Sequence, residues 1–325
     1  MTLLQERLVS QINEASHLLT SGRDKWNSDF HEYAKEIISN TDKIKANKEK
    51  FHELAPLFLY MPVREAKGSA NLFSLRYKGL EVAGLKVDSK TNELTLVGKK
   101  TSFSPESPNT PIKWQSKEAA AFRNYYKNDI QCGNYHKLEL ESKFLEELEK
   151  NDKASKIECL VGVRPVKIAD CCRFKLPTPL AAAQKLELLP KTGAGIDILA
   201  RRTVKGVTNL CVMEVKAGTG ADDPDQAMLQ SVAYAVFVQE LMDSASGPDW
   251  YEIFGFERSK YERSQPNKIN IDVCVVMPIT ESNQKQLVDY PQTLDTGKGR
   301  LELHYILLNQ DWDQGIKVVK TSFQN

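Results

Sequence analysis

Apolar residues recur every three to four positions through Leu4, Leu8, Ile12, Ala15 and Leu19, and again through Trp26, Phe30, Tyr33, Ile37 and Ile38. That period is one face of an α-helix, so the first fifty residues predict two amphipathic helices. The stretch Thr41 to Lys50 holds Lys43, Lys45, Lys48 and Lys50 with little apolar content, and reads as a solvated helix end or turn. From Asn71 to Lys100 the pattern shifts to short alternating runs, Leu72 to Tyr77, Leu80 to Val87 and Leu94 to Val97, with a turn cluster at Asp88 to Asn92. Such alternation predicts a small antiparallel sheet. The segment Ser102 to Pro111 carries Pro105, Pro108 and Pro111 and reads as a connector.

These patterns divide the chain near residue 110, into an α+β N-terminal region (1–110) of open role and a second domain (111–325). In the second domain, helices are predicted over Lys117 to Asn128 and Tyr135 to Lys150. Strands follow at Ile157 to Ile168, Gly195 to Arg201 and Leu210 to Ala217. A long helix runs from Pro224 to about Met242, before strands at Ile271 to Met277 and Leu301 to Leu308. Helices alternating with strands predict an α/β fold, a central mixed sheet flanked by helices.

Composition narrows the partners only slightly. The 325 residues hold 44 Lys plus Arg against 43 Asp plus Glu, a net charge of +1. No strongly basic coat exists, so a polyanion would have to meet a local patch. Glu6 and Arg7 interrupt the leucines of the first twenty residues, and the longest apolar run, Leu54 to Val63, contains Pro56 and Pro62. Neither stretch reads as a signal peptide or a membrane span, so the expectation is a cytoplasmic protein with no membrane partner. The six cysteines form no C-x-x-C pair, and reduced thiols are expected.

The chemistry-bearing stretch is Gly195-Ile196-Asp197-Ile198-Leu199-Ala200-Arg201-Arg202, followed by Leu210-Cys211-Val212-Met213-Glu214-Val215-Lys216. A hairpin turning at Lys205-Gly206 sets Asp197 opposite Glu214, about 5 Å apart on one face, with Lys216 two residues along on that face. Directly opposed like charges destabilise a strand pair, so the arrangement calls for a positive partner. A divalent cation is one, and Lys216 in a purely structural ion pair is the other. On the next helix, Asp223-Pro224-Asp225-Gln226 predicts an N-cap with Gln226 in a capping box. Gln230 shares an inward face with Ala233, Tyr234 and Phe237, either as a satisfied core amide or as a phosphate or metal-water contact. On the acidic helix before the sheet, Glu141 lies on the face of Phe144, Leu145 and Leu148, and Glu139 beside Ser142 and Lys143. Arg201 and Arg202 end the first hairpin strand and read as surface charge, with a grip on the flanking nucleic-acid backbone as the alternative. Tyr125 and Tyr126, with Lys127 and His136, precede the acidic helix and read either as base-stacking groups or, more commonly at this spacing, as core, whereas Trp250, Tyr251, Phe254 and Phe256 read as packing. Gly193-x-Gly195 lacks the third glycine of a dinucleotide fingerprint, and no phosphate-binding G-x-x-x-x-G-K-[ST], H-x-x-x-H or G-x-S-x-G occurs.

Asp197, Glu214-Val215-Lys216 on the next strand, and Gln230 with Tyr234 on the following helix resemble the PD-(D/E)XK nuclease superfamily. The last pair looks like the Q-x-x-x-Y element of its RecB-like branch. The likeness covers about a third of the chain, from Glu139 to Met242, and departs from the pattern where Ile196 rather than Pro precedes the aspartate. The resemblance implies a restriction-endonuclease-like core and a Mg²⁺ site, with Mn²⁺ as substitute. Asp197, Glu214, the Val215 carbonyl and Glu141 (or Glu139 in its place) would hold the ion. Lys216 would orient or activate the attacking water, and Gln230 would hold the phosphate or a water. It implies an Mg²⁺-dependent phosphodiester hydrolase acting on nucleic acid, with DNA the expected substrate, in defence, restriction or repair. A homodimer and a separate motor or defence-system subunit are its open partners. The alternative is a nucleic-acid-binding or scaffolding protein that keeps the nuclease fold without turnover.

Overall fold

The computed structural model describes residues 3–52, 54–61, 72–88, 90–99, 107–128, 135–154, 157–189, 194–218, 222–260, 268–288 and 293–323. Helices α1 (Leu3–Ser21), α2 (Arg23–Ala46) and α3 (Lys48–His52) lead into strands β1 (Phe58–Met61), β2 (Leu72–Tyr77), β3 (Leu80–Val87), β4 (Leu94–Gly98) and β5 (Ile112–Lys113). After α4 (Lys117–Tyr126) and α5 (His136–Ala154) come β6 (Val163–Pro165), β7 (Lys167–Ile168) and β8 (Cys172–Phe174). Short strands β9 to β12 follow (Pro177–Thr178, Leu180–Ala181, Glu187–Leu188 and Ala194–Gly195). The remainder is β13 (Ile198–Val204), β14 (Val207–Val215), α6 (Pro224–Met242), α7 (Gly247–Ile253), β15 (Ile271–Pro278), α8 (Glu281–Val288), β16 (Thr293–Asp295), β17 (Arg300–Leu308) and β18 (Val318–Thr321).

The chain forms two compact units, residues 1–32, 143–166 and 176–325 in one, and residues 33–142 and 167–175 in the other. No single cut, at residue 110 or elsewhere, separates them. In the second unit the expected antiparallel strands β2, β3 and β4 lie within a larger sheet of order β5-β4-β3-β2-β1-β8-β7 among the described residues. The connector from Ser102 to Glu106 lies outside the described residues.

In the first unit the central sheet is mixed, with order β16-β17-β15-β14-β13-β6 and β18 beside β17. Strands β13 and β14 form an antiparallel hairpin, and β14, β15 and β17 run parallel. The α/β class expected from the sequence is therefore present. Helix α6 connects β14 to the parallel β15, the crossover that parallel neighbours require. Its residues from Ala227 to Met242 are all buried, because α1 packs on it as well as the sheet. Trp26 and Phe30 meet Phe237 edge to face, and Trp250 of α7 closes the cluster on Phe30.

The predicted strand from Ile157 to Ile168 is a correction. A short 3-10 turn spans Glu158–Leu160, and Gly162, with φ +83°, precedes β6. The run then divides, β6 pairing with β13 and β7 with β8. Alternating apolar residues do not encode which sheet each half joins. Among the described residues no helix is long and apolar enough to cross a membrane.

Candidate active site

The hairpin register is the one the sequence predicts. Val204 pairs with Val207 and Ile198 with Met213. Lys205 and Gly206 both have positive φ, +49° and +81°, as a two-residue type I′ turn requires. Asp197 stands one residue before the first paired residue of β13, and Glu214 one residue after the partner of that residue, Met213.

Local backbone geometry explains what Asp197 does there. The Lys216 N–H donates to the Val276 carbonyl at 2.9 Å, on the β15 side. Backbone groups alternate sides along a strand, so Val215 directs its N–H toward β13. The next rung would be Ile196, but the Ile196 N–H donates to the Leu176 carbonyl at 2.9 Å. The chain has peeled away, and the Asp197 carboxylate takes the vacated place, Oδ2 accepting the Val215 N–H at 3.0 Å. A strand residue sends its N–H and C=O to the same side, so the Val215 carbonyl faces that same gap.

Glu214, 1% exposed, and Asp197, 7% exposed, are both buried. Carboxylates removed from water to that degree are costly unless paired. Lys216 Nζ supplies one pairing, donating to Glu214 Oε1 at 2.9 Å and to Gln230 Oε1 at 2.9 Å. Gln230 in turn donates through Nε2 to the Tyr234 hydroxyl at 3.1 Å. The structure thus links Glu214, Lys216, Gln230 and Tyr234 in one chain of hydrogen bonds, beside Asp197 and Val215. Gln230 reaches the sheet because α6 is set by its N-cap, Asp223 accepting from the Asp225 N–H with Pro224 in the first turn.

Glu141 belongs to the other unit. It is buried, and both its oxygens accept from Lys175 Nζ, at 3.1 and 2.9 Å. Glu139, on the same helix, is less buried and pairs with Lys78 at 3.3 Å.

Two smaller expectations are corrected. Gln226 does not serve a capping box: its Nε2 donates to the Ala182 carbonyl at 3.2 Å, because the loop before β11 passes within reach. Arg202 is not surface charge. It is buried and donates to Asp272 Oδ2 at 3.2 Å, since alternation turns it to the sheet face opposite Arg201, whose guanidinium donates to the Gly255 carbonyl. Sequence reasoning missed Asp272, although one acid in the apolar run Ile271-Asp272-Val273 of an interior parallel strand was a usable signal. The aromatic residues read as packing include Tyr126, Trp250 and Phe254, all buried. Cys172, Cys211 and Cys274 are buried free thiols, and burial pushes each well above the ordinary thiol range.

Comparison of the chain with family models, with curated proteins and with solved structures found no match in any of the three.

Proposed function

We propose that this protein is a metal-dependent nuclease that hydrolyses phosphodiester bonds, with DNA as substrate, in defence, restriction or repair. The observation that carries the reading is Lys216, whose ammonium bonds both Glu214 and Gln230 while Asp197 accepts from the N–H of the intervening Val215. The order of elements supports it: the aspartate at the start of β13, Glu-x-Lys at the end of β14, and Gln230 with Tyr234 on the helix that follows. A restriction-endonuclease-like core is the finer fold this reading adopts for the mixed central sheet.

The donor set fits a hard divalent ion. Asp197, Glu214 and the Val215 carbonyl offer oxygens at one end of the hairpin, which suits Mg²⁺ or Mn²⁺. When bound, such an ion lowers the pKa of its water and offsets charge that builds on the phosphoryl oxygens. An ammonium has three N–H donors. Glu214 and Gln230 take two from Lys216, and the third is directed to a water or a phosphate oxygen. Gln230 fixes the lysine rather than reaching the substrate itself, and Tyr234 fixes the amide. Glu141 enters this reading only through the resemblance. The site is argued from Asp197, Glu214, Val215, Lys216 and Gln230, which lie in one unit.

The test is a panel of labelled single- and double-stranded DNA and RNA, incubated with Mg²⁺ or Mn²⁺, for wild type, Asp197→Asn, Glu214→Gln and Lys216→Ala. Cleavage in the wild type, stopped by EDTA and slowed at least about 100-fold in each variant, is expected. Equal rates in all four proteins, or cleavage indifferent to EDTA, refute the assignment. Retention of nucleic acid on a gel without metal binding or turnover identifies a binding protein instead.

A further inference from the structure

The opposite face of the same sheet carries a second set of ligand-type side chains. In the β14-β15-β17 ladder Cys211 pairs with Asp272 and Asp272 with Glu302, while Cys274 pairs with His304. Paired residues share a face and alternate ones return to it, so Asp272, Glu302 and His304 point away from the face of Glu214. One ligand atom from each of the three lies within 4.8 Å of the others.

Two features distinguish this cluster from incidental surface acids. Asp272 is fully buried, and Arg202 satisfies only its Oδ2, at 3.2 Å. Among the described residues Oδ1 has no hydrogen-bond partner, and neither ring nitrogen of His304 has one. Oδ1 and His304 Nε2 stand 3.7 Å apart, beyond hydrogen-bond range. Arg202 balances the charge of the carboxylate, but a buried oxygen and an imidazole that face each other at this distance leave the hydrogen-bonding capacity of both unused. The group is also held in place. The Arg202 guanidinium lies 4.4 Å over the Phe323 ring, and His304 packs edge-on against the same ring at 4.8 Å. The cluster opens on a cleft of about 630 Å³, lined in part by Arg202, Asn209, Thr293, Glu302 and His304.

We propose that Asp272, Glu302 and His304 form a second metal site, selective for a divalent ion of the Zn²⁺ or Co²⁺ class. Two ligands each about 2.1 Å from one ion stand at most about 4.2 Å apart. The Oδ1 to Nε2 gap already meets that limit, and the longer Glu302 side chain, at the cleft, closes the remainder by rotation. One imidazole with two carboxylates suits these ions, whereas Mg²⁺ and Ca²⁺ prefer oxygen alone. Arg202 then has the role of an outer partner that orients the Asp272 carboxylate. Three protein ligands leave a coordination position open toward the cleft. This site stands independently of the nuclease reading, because it uses none of the residues on the other face.

The experiment is a Co²⁺ titration of the full-length, chelator-treated protein in excess Mg²⁺, read by visible absorption, with Zn²⁺ as competitor. One Co²⁺ per chain is expected, displaced by one Zn²⁺, and retained in the Asp197→Asn/Glu214→Gln double variant. His304→Ala is expected to weaken Co²⁺ binding by more than about 100-fold. Glu302→Gln, a near-isosteric change at the cleft, is expected to weaken it by at least about 10-fold with the circular dichroism spectrum unchanged. No Co²⁺ signal, an affinity indifferent to both substitutions, or binding lost only with Asp197 and Glu214 overturns the proposal.

Discussion

Removing the ammonium of Lys216 separates the electrostatic role of the site from its chemistry. Glu214 is 1% exposed and its Oε1 lies 2.9 Å from Lys216 Nζ. Deleting one partner of a buried ion pair costs about 3–5 kcal/mol, because the remaining charge stays desolvated. Lys216 keeps 15% of its side-chain surface in contact with water, so Lys216→Ala should fall near the lower end, about 3 kcal/mol. In a body of this size each kcal/mol moves the melting temperature by about 2–4 °C, a loss of about 6–12 °C. Glu214→Gln in the same chain should return most of that loss, since an amide needs no counter-charge. The cation hypothesis adds a sharper expectation. With Lys216 gone, Glu214 loses its bond to that ammonium, while the Asp197 bond to the Val215 N–H is untouched. Mg²⁺ at about 100 times its dissociation constant would restore about 2.7 kcal/mol. Thermal unfolding followed by tryptophan fluorescence, with Mg²⁺ or with EDTA, reads all of this, because Trp26 and Trp250 are buried in the same unit. Mg²⁺ should raise the midpoint of Lys216→Ala and leave that of Asp197→Asn/Glu214→Gln unmoved. A Lys216→Ala protein as stable as wild type, or an equal Mg²⁺ response in every variant, would refute the reasoning.

Further outcomes follow from the backbone and from a thiol. Lys205 occupies the left-handed region at φ +49°, which asparagine tolerates better than lysine. Lys205→Asn should therefore raise stability by about 0.5–1 kcal/mol, seen as a higher urea midpoint with an unchanged slope. A Cβ at Gly206 would meet open space, so Gly206→Val should cost only backbone strain, about 1–2 kcal/mol. A Lys205→Asn protein less stable than wild type would contradict the turn assignment. Burial pushes the Cys171 thiol up to about 11 from 9.0, against the pull of Lys48 and Lys167. The folded state favours the neutral thiol, so this group contributes stability below about pH 9 that is lost as pH rises through about 11. Alkylation mapped by peptide mass should reach Cys171 at pH 8 about 100-fold more slowly than an ordinary thiol. Labelling at the ordinary rate would show the burial to be wrong.

Periodic stretches were legible because their period is the structure. The predicted bounds of β2 and β3, Leu72 to Tyr77 and Leu80 to Val87, are those observed, and α6 runs from Pro224 to Met242 as its N-cap and apolar content indicate. Partner choice was not legible. Nothing in Ile157 to Ile168 shows that its two ends join different sheets, and nothing near Leu4 to Leu19 shows that this helix docks on α6, more than two hundred residues away. Arg202 failed for the same reason. Its partner Asp272 lies on β15, beyond the intervening β14, and only the order of strands brings the two onto one face.

The candidate site shows the same division within a few residues. Symmetry about Lys205-Gly206 was enough to fix the hairpin register, which every rung from Val204 to Ile198 keeps, ending one residue short of Asp197. Continued pairing would have carried the hairpin through Ile196 and used its backbone to satisfy Val215. Instead Ile196 turns to Leu176, and a side chain does the work of a main-chain acceptor. That exchange sets the Asp197 oxygens and the Val215 carbonyl around one gap, which a regular ladder would have closed. If pairing at Ile196 were restored, Asp197 would lose its bond to the Val215 N–H, and the oxygen set proposed for the ion would be lost with the fold intact. The break in the ladder is therefore the structural feature on which the proposed chemistry depends, and no periodicity in the sequence records it.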